Sequence, residues 1–565
     1  MAIHTRWPYR LTHADLTHTE KKLRKHFSTG ESLKFDRAAK PVIRAQVIRD
    51  LLLSAAPVVH GQVQQLSVSG AAISGELDLQ FAKIDCPVRL ENCDFNSPVR
   101  FSEAHLRSVS LQGCSGGEID ARHLTVVGDL VLDEAKLSGP LRLSGAHLED
   151  DLHLRKVTVG APSRMTDGDR LSEGSGGNVL LDLENIEVRG KIEAQGLTVY
   201  GNVSTKAATV AGYVQMTDET AELKPTFGAE QGAVAWDGSG MKVGGSLGAS
   251  GLTATGPVRL IDAQVLVLVL SNAKITNSGP ALMLDRLGSR GSVFCDGDSR
   301  LNGGIHAIGM RVGGNVYLGS GLVHAPNKGT DDVKGRAVDL RRATITGELV
   351  FKEHFRAVGA CDLTGAHIGG ALALSGASLQ SVDSVKEAAG FIADRAQMDS
   401  DVCWQGDFTC KGVMSLKNAH IGGDFIVEQK QNRPECMVAA SGLSVTHNTT
   451  LDVPGTVDVS GARIDGDLTL HTERLDGNGQ DPAADLTGVV AHVLTLYGRP
   501  KKGFLDLTRA SVNLLRDDPV HPKSTLSTTS PTVTPSYSKT SLIPTSPAPR
   551  LTIKNRAGTQ LGLGD

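Results

Sequence analysis

The chain has 565 residues, 64 of them glycine, with aromatic residues at 4% and a formal net charge of −4. So few rings and so many glycines argue against a core of bulky side chains and favour narrow, repetitive turns. Residues 1–50 hold 11 Lys/Arg against 5 Asp/Glu, residues 51–516 carry about −12 and 517–565 carry +2, so the long body has no dense basic stripe for nucleic acid.

Residues 1–60 read as a basic helical cap. The opening MAIHTRWPYRLTHADL has no apolar core of a secretory leader. Thr17 and Glu20 have the spacing of a capping box at the start of a helix through EKKLRKHF, and Gly30 suits its end. Pro41 suits the first position of a second helix, PVIRAQVIRDLLLSA, with Ile43, Val47 and Leu51 on one face. Such a cap covers the strand edge that a stacked fold would otherwise expose. The run KKLRK (21–25) reads as the solvated face of the first helix, with anionic lipid as its functional alternative.

Residues 61–160 hold a regular 11-residue repeat. In GPLRLSGAHLEDDLHLRKVTV (139–159), Leu141, Leu143, Ala146 and Leu148 are followed by Leu152, Leu154, Val157 and Val159. With Leu141 as position 0, apolar or small residues fall at 0, 2, 5 and 7. Position 0 recurs at Leu77, Val88, Val99, Val109, Ile119, Leu130, Leu141 and Leu152, and later at Leu247/Val258, Cys361/Leu372 and Leu494/Leu505. Two apolar residues separated by one make a short strand with one inward side. The small residue at position 5 opens a second strand. Glycine before position 0, as in SGELDL, VGDLVL and IGGALAL, is expected to supply the dihedral freedom of the corner. Eleven residues cannot enclose a core, whereas about 22, with four sides, can. The spacing is not that of a helical stripe. The fold class is therefore an all-β solenoid. It is a parallel β-helix of roughly square section, about 22 residues per coil, right-handed by the general rule for parallel crossovers, with a small helical N-terminal cap.

Residues 161–516 continue the β-helix with loop insertions at a period near 52 residues. The expected loops are 160–177, 217–231, 324–334, 380–389, 428–435 and 476–487, projecting as a row. The stack is expected to hold roughly 17 coils and to run about 80 Å. Residues 517–565 read as a Ser/Thr/Pro-rich disordered tail that cannot build a core.

The paired apolar residues of SGELDLQFAKI (74–84) and LTGAHIGGALALSGASL (363–379) resemble those of pentapeptide-repeat proteins, which are square right-handed β-helices. One residue is added here at every second pentapeptide. Over roughly 10–518 the chain is more closely similar to a family of long actinobacterial repeat proteins, often labelled membrane-associated oxidoreductases. That resemblance implies membrane association for members that continue into hydrophobic helices. The sequence changes character at Pro519, so membrane contact is expected only peripherally or through such a missing C-terminal segment. The nearest apolar run, Val265–Leu270, is six residues long, far from the ~18 of a membrane span. A cytoplasmic location follows as the expectation, at most peripheral to the inner face of the membrane.

No catalytic, cofactor-binding or metal residue is assigned. GSGMKVGG (238–245) and EGSGGNV (173–179) fall short of a dinucleotide fingerprint and open no helix. Cysteines occur at 86, 93, 114, 295, 361, 403, 410 and 436 without a C-x-x-C pair. Cys361 and Cys403 are placed at position 0, Cys93 and Cys114 at position 5 and Cys410 at position 7, all inward slots for a small apolar group. Cys93 and Cys114, 21 residues apart, are expected as stacked neighbours. His105, His123, His147, His367 and His420 are placed just before position 7, facing outward. Carboxylates gather in LEDDLHL (148–154), TDDVKG (330–335) and RIDGDLTL (463–470), but the small residues at position 5 imply a filled coil without a sugar-binding groove.

The expected function is a non-catalytic scaffold or protein-interaction rod that binds an unknown protein partner along the loop row. End-to-end self-association is a further expectation, and nucleic acid is not expected. An oxidoreductase follows from the family resemblance only. A DNA-mimicking regulator of a nucleic-acid enzyme is a second alternative, because pentapeptide-repeat proteins can present an acidic surface. A body charge of about −12 over residues 51–516 is weak for that role.

Overall fold

Alternating inward and outward residues make each half-coil a pair of short strands. In the computed structural model these strands stack as a parallel β-solenoid of about 18 turns. The structure describes residues 15–36, 39–53, 63–161, 179–218, 222–228, 233–319, 321–326, 335–381, 389–429, 436–477, 479–518, 552–554 and 560–562. The chain divides into two compact units, Met1–Thr276 and Asn277–Asp565.

One coil of the first unit runs through Leu77–Asp78, Lys83–Ile84, Val88–Glu91 and Asp94–Phe95. These four strands are faces one to four of a square section. On face one, Leu77 pairs with Val99, Val99 with Ile119 and Ile119 with Leu141. On face three, Val88 pairs with Val109, Val109 with Leu130 and Leu130 with Leu152. The position-0 residues are thus alternate members of two columns. Leu141, Leu143, Ala146, Leu148, Leu152, Leu154, Val157 and Val159 are all buried. Burial of each large aliphatic side chain contributes about 1.5–3 kcal/mol.

The register survives the longer insertions. Leu141 pairs with Leu181 and Leu152 with Ile192, across residues 162–178, which lie outside the described residues. The chain leaves face four at Thr158–Val159 and re-enters face one at Val179–Asp182. The second unit keeps the same arrangement. There the chain passes from Leu322–His324 to Arg336–Asp339, and from Ser378–Gln380 to Ala389–Ile392. Three of the six expected loops, 160–177, 324–334 and 380–389, fall at this corner and lie mostly outside the described residues.

The corner chemistry matches expectation only in part. The left-handed φ sits at position 4: 59° at Phe81, 58° at Glu103, 55° at His123, 67° at Gly145 and 54° at Asn185. Gly128, Gly139, Gly369 and Gly370, which precede position 0, have no such φ. A Cβ on Gly128 would lie 3.2 Å from the Arg107 carbonyl oxygen, and one on Gly369 would lie 2.4 Å from that of Thr346. Close approach of the neighbouring coil selects these glycines, not dihedral freedom. Gly75, Gly256, Gly304, Gly359 and Gly503 do supply the expected freedom, with φ of 87°, 115°, 75°, 126° and 88°. At face one the turn is closed by aspartate at position 1. The carboxylates of Asp78, Asp182 and Asp237 accept the N–H two residues on, at 3.0, 3.1 and 3.1 Å.

The cap begins with helix α1 (His18–Thr29), where Thr17 and Glu20 form the expected capping box and Gly30 ends the helix with φ of 71°. The second helix is shorter than expected. Val42–Arg44 forms a strand pairing with Ala72–Ser74, and helix α2 covers Ala45–Leu53. β-Branched Val42 and Ile43 favour the strand, which covers the edge of the first coil. Glu20 joins these parts: its side chain is 1% exposed and lies 2.7 Å from the Arg44 guanidinium. Burial pushes this carboxyl up, but the Arg44 hydrogen bond and the Thr17 and Arg44 N–H groups outweigh it, lowering the pKa from 4.5 to about 2. A lowered folded pKa gives stability that is present above the unfolded value and lost as pH falls through the folded one. Denaturation of the wild type should therefore lose a few kcal/mol more than that of Glu20→Gln between about pH 4.5 and pH 2. Parallel pH profiles of the two proteins would contradict this role.

At the other end of the second unit, Ser511–Asp518 forms a strand that runs two residues past the expected boundary at 516. Asp517 pairs with Leu496, a buried inward residue of the preceding coil. The Arg499 guanidinium holds Asp517 at 2.5 and 2.8 Å. The backbone of Thr552–Lys554 pairs antiparallel with Gln560–Gly562, and Ile553 pairs with Leu505. The Ser/Thr/Pro tract of 519–551 lies outside the described residues.

Candidate functional surface

Six of the eight cysteines are buried. All eight are free thiols. Cys93 and Cys114 are stacked neighbours, with the Cys93 N–H donating to Cys114 Sγ at 3.4 Å. Burial pushes the Cys295 thiol up to about 12 and raises that of Cys361, far from the reactive thiolate range. Cys403 does not occupy position 0: Val402 holds it, and Cys403 is its half-buried outward neighbour.

The histidines form no continuous column. Thr125 stands between His105 and His147 on face two, and Gln397 between His367 and His420. His123 is not before position 7. It occupies the position-4 corner, with φ of 55°. The glycines of GSGMKVGG are corner and close-contact positions, Gly240 with φ of 69° and Gly244 packed on Ala211.

The outward residues are less uniform than the inward ones. On face one of the first unit, Asp78, Arg100, Asp120 and Arg142 alternate down the column. Arg100 pairs with Glu76, Arg122 with Asp120 at 2.7 Å, and Arg142 with Glu118. On face one of the second unit, His306 stands between two carboxylates. Its Nδ1 lies 2.8 Å from Asp285 and its Nε2 3.5 Å from Asp339. Asp339 is 1% exposed and takes hydrogen bonds from Arg341 Nε and Nη2 at 2.9 and 2.8 Å. The hydrogen bond to Asp285 raises the His306 pKa, burial opposes it, the charges of Asp285 and Asp339 add to it, and Arg341 subtracts. A raised folded pKa gives stability that is full below the unfolded value near 6.5 and is lost as pH rises through the folded value. Wild type should therefore lose melting temperature relative to His306→Gln as pH rises from 6 towards 9. A constant difference between the two would contradict this.

Face three of the second unit is different in kind. Its outward column reads Phe294, Tyr317, Val350, Ala373, Cys403 and Ile426, each registered on the next. All six are half-buried. Phe294 and Tyr317 stack with centroids 5.1 Å apart and planes 16° apart. Lys352 lies 5.1 Å from the Tyr317 centroid and pairs with Asp296. An open depression of about 490 Å³, lined by Val350, Lys352, Glu353, His354, Ala373 and Ser375 among others, lies on this face. Glu348, Asp401 and Asp424 flank the column one residue before position 0. The equivalent column of the first unit is mostly polar, with Arg89, Ser110, Val131, His153, Glu193 and Gln215.

Three further side chains converge where sequence reading assigned nothing. Asp129, Asp151 and His153 place one ligand atom each within 4.8 Å of one another. Their signal is present in the sequence: Asp129 and Asp151 are one coil apart at the same step, and His153 follows two residues later, within LEDDLHL. TDDVKG, by contrast, lies almost wholly outside the described residues. Among the described residues no helix is long and apolar enough to cross a membrane. No protein-family model matches the chain, and neither a curated protein nor a solved structure matches it significantly.

Proposed function

We propose that this chain is a non-catalytic scaffold whose docking surface is face three of the second unit. The observation that carries the reading is the outward apolar column from Phe294 to Ile426. A contiguous apolar surface on a solvated face is a mark of an interaction site. The acids Glu348, Asp401 and Asp424 beside it select the occupant: a protein segment with apolar side chains flanked by Lys or Arg. They disfavour a second copy of the same face, which would bring acid against acid. The alternating Asp and Arg residues on face one of the first unit favour this reading over mimicry of a nucleic acid, which needs unbroken negative charge.

The test is a photo-crosslinking amino acid at position 317 in the full chain, with Ile426→Glu as the control. The reading requires one heterologous protein crosslinked through a basic-apolar segment, lost in Ile426→Glu. A crosslinked dimer of this chain, or crosslinking unchanged by Ile426→Glu, would overturn it. So would a flavin or nicotinamide absorbance in the purified protein.

A further inference from the structure

We propose that Asp129, Asp151 and His153 bind one first-row divalent cation, with zinc as the reference ion, on face three of the first unit. Their ligand atoms converge within 4.8 Å. The orientation of His153 points the same way. Its Nδ1 lies 3.2 Å from Glu193 Oε2, while its Nε2 faces Asp151 Oδ2 at 4.0 Å. The second distance is too long for a hydrogen bond. It is longer than the about 3.3–3.6 Å that separates two tetrahedral ligand atoms at about 2.0–2.2 Å from one ion, so binding draws the two side chains together by about half an ångström. A carboxylate on the far ring nitrogen is the outer partner that metal-bound histidine commonly has.

Charge supports the same assignment. Arg155 pairs with Asp133 at 2.6 Å, and Lys191 lies 2.7 Å from Glu193 and 3.8 Å from Asp151. Against these two cations stand four carboxylates, Asp129, Asp133, Asp151 and Glu193. Two negative charges are left over, which one divalent ion balances. The site is also sheltered: the side chains of His153, Asp151 and Glu193 are 15%, 21% and 13% exposed.

Both aspartates have a structural use that the proposal must accommodate. Asp129 Oδ1 accepts the Asp151 N–H at 3.3 Å, and Asp151 Oδ1 accepts the Lys191 N–H at 2.9 Å. The same ladder recurs in the second unit, where Asp401 accepts from Asp424 and Asp424 from Asn448, both at 2.8 Å. That ladder takes one oxygen of each carboxylate and leaves the other for a ligand. What distinguishes the first unit is the histidine two residues on. Two oxygens and one imidazole suit zinc or manganese better than the harder calcium. Three protein ligands leave a position open for water or for a group from a partner.

Full-length protein stripped with a chelator and titrated with zinc in a calorimeter tests this, with cobalt(II) absorbance as the second readout. One equivalent should bind and raise the melting temperature. His153→Gln should weaken binding at least about 100-fold, and Glu193→Gln, which acts through His153, by about 10–100-fold. Asp129→Asn keeps a backbone acceptor, so it should fold normally and still lose affinity. No stoichiometric binding to wild type would overturn the proposal. One equivalent retained at full affinity in His153→Gln or Asp129→Asn would overturn it too, placing the ion elsewhere.

Discussion

Replacing Leu143 with aspartate should leave no soluble, cooperatively folded first unit. Leu143 is fully buried, and its N–H donates to the Asp182 carbonyl of the next coil at 2.7 Å. Removing a buried leucine side chain alone costs about 3–5 kcal/mol. An unpaired carboxylate in the same slot adds several kcal/mol of desolvation. The sum approaches the whole stability of an ordinary domain, about 5–15 kcal/mol. The effect also spreads, because each coil depends on its neighbours. Arg142, one residue earlier, faces outward and pairs with Glu118 at the surface. Arg142→Ser should cost less than about 1 kcal/mol. Circular-dichroism melts of both variants give the comparison. A soluble Leu143→Asp protein melting cooperatively near the wild-type temperature would contradict the inward assignment of position 2.

In the second unit, Trp404→Ala should cost about 3–5 kcal/mol. Trp404 is fully buried and lies 4.8 Å from Phe391 and 5.8 Å from both Phe408 and Phe425, centroid to centroid. Its Nε1 has no hydrogen-bond partner among the described residues. Leaving a buried donor unpaired costs about 1–3 kcal/mol. Trp404→Phe removes that donor while keeping most of the ring contacts, so it should cost far less than the alanine variant. Denaturant midpoints of the two variants check the order. Equal losses would contradict this, and would mean that the indole makes an interaction that phenylalanine cannot replace.

The fold was legible because the inward residues obey one rule. Leu77, Val88, Val99 and Val109 are read in the sequence as a spacing and found in the structure as two columns. The capping box was legible for a similar reason: Thr17 and Glu20 act locally. What escaped depended on neighbours in other coils. Gly128 and Gly369 look like hinges in one dimension, but their constraint is a carbonyl about 20 residues away. Cys403 was assigned inward because the insertions shift the count, which only the pairing of Val402 with Leu372 resolves. Val42–Arg44 fits a helical stripe yet pairs with Ala72–Ser74, a partner that local propensity does not see. Outward residues carry no comparable period along the chain. Phe294, Tyr317 and Val350 sit between two inward residues, so their shared column emerges only when coils are overlaid. Asp129 and Asp151 were separated in the same way by one full coil.

The central claim is in-register stacking through the insertions, and paired cysteines measure it most directly. Arg142 and Asp182 are 40 residues apart in sequence and directly paired on face one. With cysteine at 142 and 182, mild oxidation and peptide mapping should give a rapid intramolecular disulfide between these positions. The account requires little or none for cysteines at 142 and 193, since Glu193 belongs to face three. A 142–193 link in preference to 142–182 would contradict the register across residues 162–178, and with it the placement of Glu193 on His153.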